Sequence, residues 1–241
     1  QGLSYEDAKK LWSCNDKIAA QNFERYAHMD LEKGLTPAII SYEGIQYQYM
    51  SPVVFSKDAL EYIQKHLRIL SGFYGILKPF DGVTPYRLEM QAKASIGNYK
   101  DLYDYWGSDL YEQLILDDDH VILNLASKEY SKCIEKYLQP KDCYITCVFA
   151  ELIDGKAVQK GTLAKMARGE MVRYLAENKI NILDISQTIV QGYFNMMMIV
   201  DIANIEKAFG QVVSELDELG KDIGVVIKCQ MEAIFDSMHR I

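Results

Sequence analysis

The sequence lacks several features that would point directly to a function. None of its apolar runs is long enough for a helix to cross a bilayer, so we expect no membrane partner. Its four histidines are scattered, and no Ser-His-Asp or Cys-His arrangement can be recognised. Positive charge is not in excess either, because the formal net charge of the 241 residues is -8. The charge argues against a generally basic nucleic-acid-binding protein, but not against a local basic cleft.

Cysteine usage gives no sign of a metal site. Five cysteines without paired spacing, and the lack of a recognisable signal peptide, favour a reducing cytoplasm. Cys143 and Cys147 are four residues apart, but no further Cys or His lies nearby to complete a zinc set. We therefore expect no metal and no other cofactor.

The first part of the chain contains amphipathic segments. Residues 1–27 predict one helix, with Ser4 as its N-cap. Residues 39–44 predict a strand that ends in a turn, and residues 56–70 predict a second helix that starts at Ser56. This second helix leads directly into the most heavily punctuated stretch of the chain.

That stretch, residues 66–90, has an apolar start and is then broken by Gly72, Gly75, Pro79, Gly82 and Pro85. So many breaks between two ordered segments indicate a shaped turn. Glycine permits positive φ, or the close approach of another backbone or a phosphate. Arg87 and Glu89 follow, and their spacing places opposite charges on one face of a short extended run.

The middle of the chain alternates between helices and strands. The patterns predict helices over residues 101–114, 129–138 and 162–178, and strands over residues 121–127, 144–153 and 157–161. Asp154 and Gly155 indicate a hairpin turn between the last two strands. Asn124 and Ser127 lie at the end of a buried strand, where polar groups commonly line a site.

Four segments in this order resemble the YaaA family of bacterial peroxide-stress proteins. They are HLRILSGFYGILKPFDGVTPYRLEM (residues 66–90), KDLYDYWG (100–107), VILNLASKEYSK (121–132) and AKMARGEMVRYLAEN (164–178). The resemblance implies a cytoplasmic protein of mixed α/β (α+β) fold that binds DNA and limits oxidative damage linked to intracellular iron. The family begins with a short strand carrying Ser-Pro-Ala-Lys, which has no counterpart in this sequence.

The resemblance also implies a helix-hairpin-helix-like element and a basic cleft. Residues 60–79, with the turn at Gly72 to Gly75, are the candidate for that element. Backbone amides with Lys or Arg can hold phosphates without reading base sequence, so DNA is the expected partner through its phosphate backbone. The candidate DNA-binding residues are Lys65, Arg68, Gly72, Gly75, Lys78, Arg87, Lys165, Arg168 and Arg173.

The end of the chain resembles a different family. Residues 174–202 and 215–241 are similar to a small bacterial ACT-domain protein, a ferredoxin-like fold, but its first strand is missing. Strands over residues 181–191 and 194–202, a turn at Gln191 and Gly192, a helix over residues 205–219 and a last strand over residues 225–230 fit that order. We expect a YaaA-like body in residues 1–173 and an incomplete ACT-like segment in residues 174–241, a mosaic of two families. An unpaired sheet edge would favour a homodimer.

Two other functions remain open at this point. One is an enzyme, because polar residues from separate motifs can converge in one cleft and suit an anionic substrate. The candidate catalytic residues are Arg87, Glu89, Asn124, Ser127 and Glu129. Lys165 and Arg168 are further polar residues that could converge in the same cleft. A purely structural ion pair between Arg87 and Glu89 is an equally open interpretation. The other function is an amino-acid-sensing regulatory module formed by the ACT-like segment.

Overall fold

The computed structural model describes residues 2–116, 120–153, 156–179, 181–190, 193–202, 205, 207–223 and 226–231. Its fold is mixed α/β, as the sequence predicts. In chain order the elements are α1 (Tyr5–Trp12), α2 (Asp16–Ala27), β1 (Thr36–Pro37), α3 (Ala38–Ser41), α4 (Ile45–Met50), a 3₁₀ turn (Pro52–Val54), α5 (Lys57–His66), β2 (Ile69–Ser71), β3 (Gly75–Leu77), β4 (Gly82–Val83), α6 (Leu102–Trp106), α7 (Asp109–Ile115), β5 (Val121–Asn124), α8 (Lys128–Glu135), β6 (Cys143–Thr146), β7 (Glu151–Ile153), β8 (Lys156–Val158), α9 (Gly161–Asn178), β9 (Asn181–Val190), β10 (Tyr193–Asp201) and α10 (Phe209–Ile223).

The first helix predicted from the sequence is divided into two. Ser4 is the N-cap, as predicted, because its Oγ accepts a hydrogen bond from the backbone N of Asp7 at 3.2 Å. Ser13 then adopts a left-handed conformation with φ 46°, which ends α1. Asn15 caps the new helix α2 by accepting from Ile18 N at 3.0 Å. The amphipathic pattern continues through the break, so periodicity alone predicted one long helix.

The predicted strand over residues 39–44 is wrong. Residues 38–41 form the short helix α3, and Ile39 is buried there at 1% exposure. The Oγ of Ser41 donates back to the carbonyl oxygen of Pro37 at 2.9 Å, which closes the turn. Two consecutive apolar residues fit either a buried strand or a buried helical turn, and local pattern cannot separate them.

The helix-hairpin-helix expected in residues 60–79 is not formed. Helix α5 starts after Ser56, whose Oγ accepts from Ala59 N at 3.2 Å as predicted, but it ends at His66 rather than residue 70. The chain then forms an antiparallel β-hairpin of β2 and β3 where the second helix was expected. Leu67, at the end of α5, is extended (ψ 138°) and Gly75 has φ 80°, and both conformations are incompatible with a continuing helix.

The middle of the chain confirms most of the predicted alternation. Strands β5 and β6 are parallel and are connected through α8, so the segment is a βαβ unit. Gly107, with φ 49° and ψ -130°, divides the helix predicted over residues 101–114 into α6 and α7. The single strand predicted over residues 144–153 is wrong, because these residues form two strands, β6 paired with β5 and β7 paired with β8. Strands β7 and β8 are antiparallel, as expected for a hairpin. The predicted turn at Asp154 and Gly155 lies outside the described residues.

Helix α9 contributes to the first of two buried clusters. It packs against α4 and α5, where Val172 and Ala176 belong to the same buried cluster as Met50 and Ile63. A second buried cluster lies under α7 and α8 and includes Leu102, Leu110, Ile122, Cys133 and Ile134.

The C-terminal part confirms the predicted strand pair and helix. Strands β9 and β10 are antiparallel, and the turn predicted at Gln191 and Gly192 lies outside the described residues. Helix α10 starts at Phe209 rather than residue 205 and buries Val212. Residues 226–230 show no strand, and Val225 is not described, so the predicted last strand is not observed. In the part of the chain that the structure describes, no helix is both long and apolar enough to cross a bilayer.

Candidate functional site

The β2–β3 hairpin carries a chain of three hydroxyl groups that the sequence did not reveal. The Oγ of Ser71, which is completely buried, lies 2.6 Å from the hydroxyl of Tyr86. The Tyr86 hydroxyl in turn lies 2.7 Å from that of Tyr42. Burial raises the pKa of both tyrosines, so they are neutral hydrogen-bond donors at physiological pH.

Ser71 also shapes the hairpin itself. Its Oγ accepts from the backbone N–H groups of Phe73 at 3.2 Å and Tyr74 at 2.8 Å, so one side chain satisfies two turn amides. The ring of Phe73 packs against Tyr86 with centroids 5.3 Å apart. The turn is therefore held rigidly against the hydroxyl chain.

Arg87 and Glu89 form the ion pair that the sequence suggested. Arg87 Nη2 lies 3.1 Å from Glu89 Oε1, and both side chains are partly exposed. Arg87 Nε also donates to the carbonyl oxygen of Trp12 at 3.5 Å. The hydroxyl of Tyr26 donates to the carbonyl oxygen of Arg87 at 3.3 Å. These bonds attach helices α1 and α2 to the residue 66–90 stretch, which gives Arg87 a structural role whatever else it does.

Glu129 comes from a distant part of the sequence and joins this group. Its Oε1 accepts from the backbone N of Gln91 at 3.2 Å. Burial raises the pKa of Glu129, and the nearby charge of Glu89 raises it further. Burial and both carboxylates also raise the pKa of Tyr130. Arg87, Glu89 and Glu129 therefore lie together, and we call these three residues the carboxylate cluster.

Asn124 and Ser127, the other two candidate catalytic residues, contribute differently. The buried side chain of Asn124 donates to Thr146 Oγ1 at 3.1 Å and accepts from Ala126 N at 2.9 Å. Both ends of its amide are thus used to join β5 to β6 and to the following loop. Ser127 occupies the N-cap position of α8, two residues before Glu129, and its side chain makes no cap hydrogen bond. Neither residue is shown to reach the carboxylate cluster.

Some of the basic candidates gather where α5 meets the end of the hairpin. Gln64 Oε1 accepts from the backbone N of Phe80 at 2.9 Å, which joins α5 to the turn after β3. Lys65 is exposed, and Arg68 Nη1 donates to the carbonyl oxygens of Lys65 and Leu67, each at 2.9 Å. We call Lys65, Arg68, Lys78 and Phe80 the hairpin-base surface.

The turn of this surface presents an aromatic ring beside the basic residues. Lys78 N donates to Asp81 Oδ2 at 2.8 Å, so that carboxylate bonds to the backbone of the turn. The side chain of Phe80 is 42% exposed. An exposed aromatic ring is suited to stacking on a base.

Gly72 and Gly75 approach other parts of the protein itself. A Cβ on Gly72 would lie 2.6 Å from the carbonyl oxygen of Leu88, and one on Gly75 would lie 2.9 Å from the ring of Trp106. The Trp106 Nε1 donates to the carbonyl oxygen of Gly72 at 3.1 Å. Both glycines are buried, so their packing explains the residue type without a phosphate.

The basic residues of α9 are in three different environments. Lys165 is exposed on the solvent side of the helix. Arg168 is half-buried, its burial lowers its pKa, and its Nε has no hydrogen-bond partner among the described residues. Arg173 Nε lies 2.8 Å from Glu177 Oε1. Lys165 and Arg168 are only three residues apart on the helix, but they differ in exposure.

Comparison with known proteins identifies the two parts of the chain. Residues 1–196 match a family model described as "Peroxide stress protein YaaA" and residues 169–230 match one described as "ACT domain". A UPF0246 protein of Lachnoclostridium phytofermentans is 64% identical over 181 residues, which cover 75% of this chain and 71% of that protein. A UPF0246 protein of Limosilactobacillus reuteri is 53% identical over 195 residues, which cover 80% of this chain and 78% of that protein.

The fold and these matches define a mixed α/β protein with an ACT-like domain at its C-terminus. The chain belongs to the YaaA family of peroxide stress proteins. Both resemblances seen in the sequence are confirmed. The two matches overlap over residues 169–196, which comprise the second half of α9, β9 and the start of β10.

Proposed function

We propose that this protein is a cytoplasmic DNA-binding protein of the hydrogen peroxide response that limits iron-linked damage. Its family supports the link to peroxide stress. The single observation that supports DNA binding is the hydrogen bond between Gln64 and Phe80, which brings the basic end of α5 beside the turn that carries Lys78. This contact brings the turn that carries Lys78 and the exposed Phe80 to the end of α5, on a chain that is acidic as a whole.

The hairpin-base surface suits binding without base-sequence selection. Lys65, Arg68 and Lys78 supply positive charge to phosphates, and Arg68 is oriented by its two bonds to backbone carbonyls. Phe80 can stack on an unpaired base, because every base has an aromatic face. The chain as a whole carries a net charge of -8, which repels DNA, so binding depends on this basic surface and is sensitive to salt.

Fluorescence anisotropy with a labelled oligonucleotide over a series of salt concentrations tests this proposal. Each phosphate contact removed lowers the steepness of log K against log salt by about one. The double substitution Lys65→Gln with Lys78→Gln should therefore lower it by about two. Lys57→Gln is the matched control, because Lys57 lies at the other end of α5 and its Nζ is 3.6 Å from Glu61. No binding of any oligonucleotide at low salt, or an unchanged slope in the double variant, contradicts the proposal.

The link to peroxide damage needs a test in cells. A strain that lacks the protein should survive hydrogen peroxide less well than one that carries it, and an iron chelator should reduce the difference. The Lys65→Gln, Lys78→Gln variant should fail to restore survival if DNA binding is the means of protection. Full restoration of survival by that variant would show that protection against peroxide does not depend on this surface.

A second candidate function is an enzyme acting on an anionic substrate at the carboxylate cluster. The observation in its favour is that Glu129, from the segment 121–132, lies near enough to the Arg87–Glu89 pair of the segment 66–90 for the charge of Glu89 to raise its pKa. A partly buried carboxyl group beside a second carboxylate can act as a general acid or base. Glu129→Gln should then abolish turnover of a phosphate- or carboxylate-bearing substrate without unfolding the chain. Equal turnover by Glu129→Gln and wild type excludes this role.

The ACT domain supports a regulatory function for the C-terminal segment. We propose residues 1–173 as the body and residues 174–241 as an amino-acid-responsive segment that pairs with a second copy through a sheet edge. Calorimetric titration with glycine and serine tests the response, and a flat titration counts against it. Light scattering tests the pairing, and a strict monomer at high concentration excludes it.

A further inference from the structure

A cavity of about 130 Å³ lies between the start of α6 and the outer side of α8. Three lysines line it: Lys100 directly before α6, Lys132 within α8 and Lys136 at the end of that helix. Lys132 and Lys136 are four residues apart and therefore lie on one helical face. The cavity shares no lining residue with the hairpin-base surface or the carboxylate cluster.

The acidic residues of this cavity are partly engaged by the backbone. Asp101 Oδ1 accepts from Asp104 N at 2.8 Å, and Asp104 Oδ2 accepts from Lys100 N at 3.1 Å. Within the described ranges, no carboxylate forms an ion pair with the ammonium group of Lys100, Lys132 or Lys136. Three lysines against the two aspartates of the lining leave a net charge of +1 at the cavity, on a chain that is acidic as a whole.

The aromatic walls of the cavity are fixed by contacts to neighbouring groups. The hydroxyl of Tyr103 donates to the carbonyl oxygen of Glu129 at 2.9 Å, which holds α6 against α8. The Nζ of Lys136 lies 5.2 Å from the ring centroid of Tyr137. This geometry is within cation–π range and restrains one of the three ammonium groups.

Cys133, which also lines the cavity, is a buried residue. Burial raises the pKa of its thiol to about 11, so the thiol is neutral at physiological pH. A neutral buried thiol is a poor nucleophile and a weak hydrogen-bond donor. The cavity is therefore built for non-covalent binding by charge.

We propose that this cavity binds a phosphoryl group through Lys100, Lys132 and Lys136. Phosphate offers several acceptor oxygens, and charge-assisted hydrogen bonds from ammonium groups are the strong ones. The volume suits a phosphate, whereas pockets for drug-sized ligands are about 300–1,000 Å³. The phosphoryl group can belong to a small phosphorylated molecule or to a nucleic acid, and both share this chemistry. The site goes beyond the proposed DNA contact because its residues are different.

Titration of the full chain with inorganic phosphate, followed by ³¹P line width, tests the proposal. The wild-type protein should show saturable broadening. Lys132→Gln should weaken binding about tenfold, the range expected for one charge-assisted hydrogen bond. Lys128→Gln is the matched control, because it removes the same charge from the same helix but Lys128 does not line the cavity. It should change the affinity less than about twofold.

Two results would overturn the proposal. One is broadening that rises linearly with phosphate and never saturates, and the other is an equal loss of affinity in the Lys128 and Lys132 variants. Circular dichroism and thermal melting show whether a variant is folded, and Lys136→Gln replaces any variant that is not. Lys132→Arg, which keeps the charge, should retain most of the affinity.

The same variants identify the source of the phosphoryl group and separate this site from DNA binding. If Lys132→Gln leaves oligonucleotide binding unchanged while phosphate binding is lost, the cavity takes a small phosphorylated molecule. If both fall together, it takes a phosphate of the nucleic acid. The Lys65, Lys78 variant should bind inorganic phosphate as the wild type does, so failure of either proposal can be recognised independently.

Discussion

Gln64 Oε1 accepts a hydrogen bond from the backbone N of Phe80 at 2.9 Å. The two residues are sixteen positions apart and lie on opposite sides of the β2–β3 hairpin in the sequence. This one bond closes the hairpin onto the end of α5 and leaves the Phe80 ring exposed beside basic side chains. The arrangement leads to the first prediction.

Phe80→Ala should weaken binding to single-stranded oligonucleotides by about 1–3 kcal/mol, the contribution of one stacked base. Binding to a blunt duplex should change little, because its bases are already stacked. Anisotropy with both probes measures the difference. Tyr99→Ala, which removes an exposed aromatic ring at 46% exposure elsewhere, is the control and should affect neither probe. Equal losses on both probes would exclude stacking by Phe80.

Gly169→Ala should destabilise the protein by about 1–3 kcal/mol, because there is no room for a methyl group where α9 crosses α4. A Cβ at Gly169 would overlap the carbonyl oxygen of Gln46 and lie 2.8 Å from Met50 N. Gly210→Ala in α10 is the control, since nothing lies within 4 Å of its Cβ position. That change should stabilise by about 0.5–1 kcal/mol through helix propensity. Urea denaturation measures both values, and similar effects at the two glycines would contradict the close crossing.

Ser71→Ala should lower the free energy of unfolding by about 2–3 kcal/mol, because two part-buried turn amides and the Tyr86 hydroxyl lose their partner. Tyr86→Phe should cost about 1–2 kcal/mol, since it removes the middle hydroxyl of the chain. Tyr42→Phe removes only the end of the chain and should cost less. Equilibrium unfolding of the single and double variants measures the coupling. Strict additivity of Ser71→Ala and Tyr86→Phe would show that the hydroxyl chain is not connected.

Asp142 should make stability depend on pH in the acid range. Burial opposes its ionisation, but hydrogen bonds from Gln139 N, Tyr111 and His120 outweigh burial and lower its pKa. A carboxyl group with a lowered native pKa adds stability above its unfolded pKa of about 3.9, and this is lost as pH falls through the native value. Asp142→Asn should therefore destabilise the protein at pH 7 and flatten the loss of stability below about pH 4.

Urea midpoints at a series of pH values check this prediction. Asp7→Asn is the control, because Asp7 is an exposed residue in the first turn of α1. It should leave the acid limb of the profile nearly unchanged. An acid limb of the same steepness in Asp142→Asn and wild type would contradict the assignment.

Cys133 and Cys147 should resist hydrogen peroxide although the protein belongs to a peroxide-stress family. Burial raises the pKa of both thiols to about 11, and the thiolate is the nucleophile that attacks peroxide. Cys14 is only partly buried and serves as the internal reference. Peptide mass spectrometry after brief peroxide exposure should find oxidation at Cys14 before either buried cysteine. Early oxidation of Cys133 would show that its pocket opens to solvent.

Local signals in the sequence predicted elements where caps and periodicity agree. Ser4 and Ser56 cap helices as expected, because a serine Oγ reaches the amide three residues on whatever the rest of the chain does. The strand pair β9–β10 and helix α9 followed from long, regular patterns. Residues 39–44 failed because a short apolar run has no period to measure.

The candidate site was only partly predictable. The spacing of Arg87 and Glu89 indicated their ion pair, because side chains two positions apart in an extended run lie on the same face. The addition of Glu129 depends on how α8 packs against the residue 66–90 stretch, which no local pattern encodes. Ser71 and Tyr86 belong to no motif that could be recognised in the sequence. Only the tertiary structure shows that their hydroxyl groups are hydrogen-bonded.

The sequence by itself determined the family, the order of most helices and strands, and the existence of a punctuated turn at residues 66–90. Those features depend on residue type and spacing along the chain. Only the tertiary structure shows that this turn is a β-hairpin. Glycine is required at positions 72 and 75 because a Cβ there would be too close to Leu88 or Trp106. Long-range packing also collected three lysines around one cavity and placed Phe80 beside α5, since contacts between distant residues arise only when the chain folds.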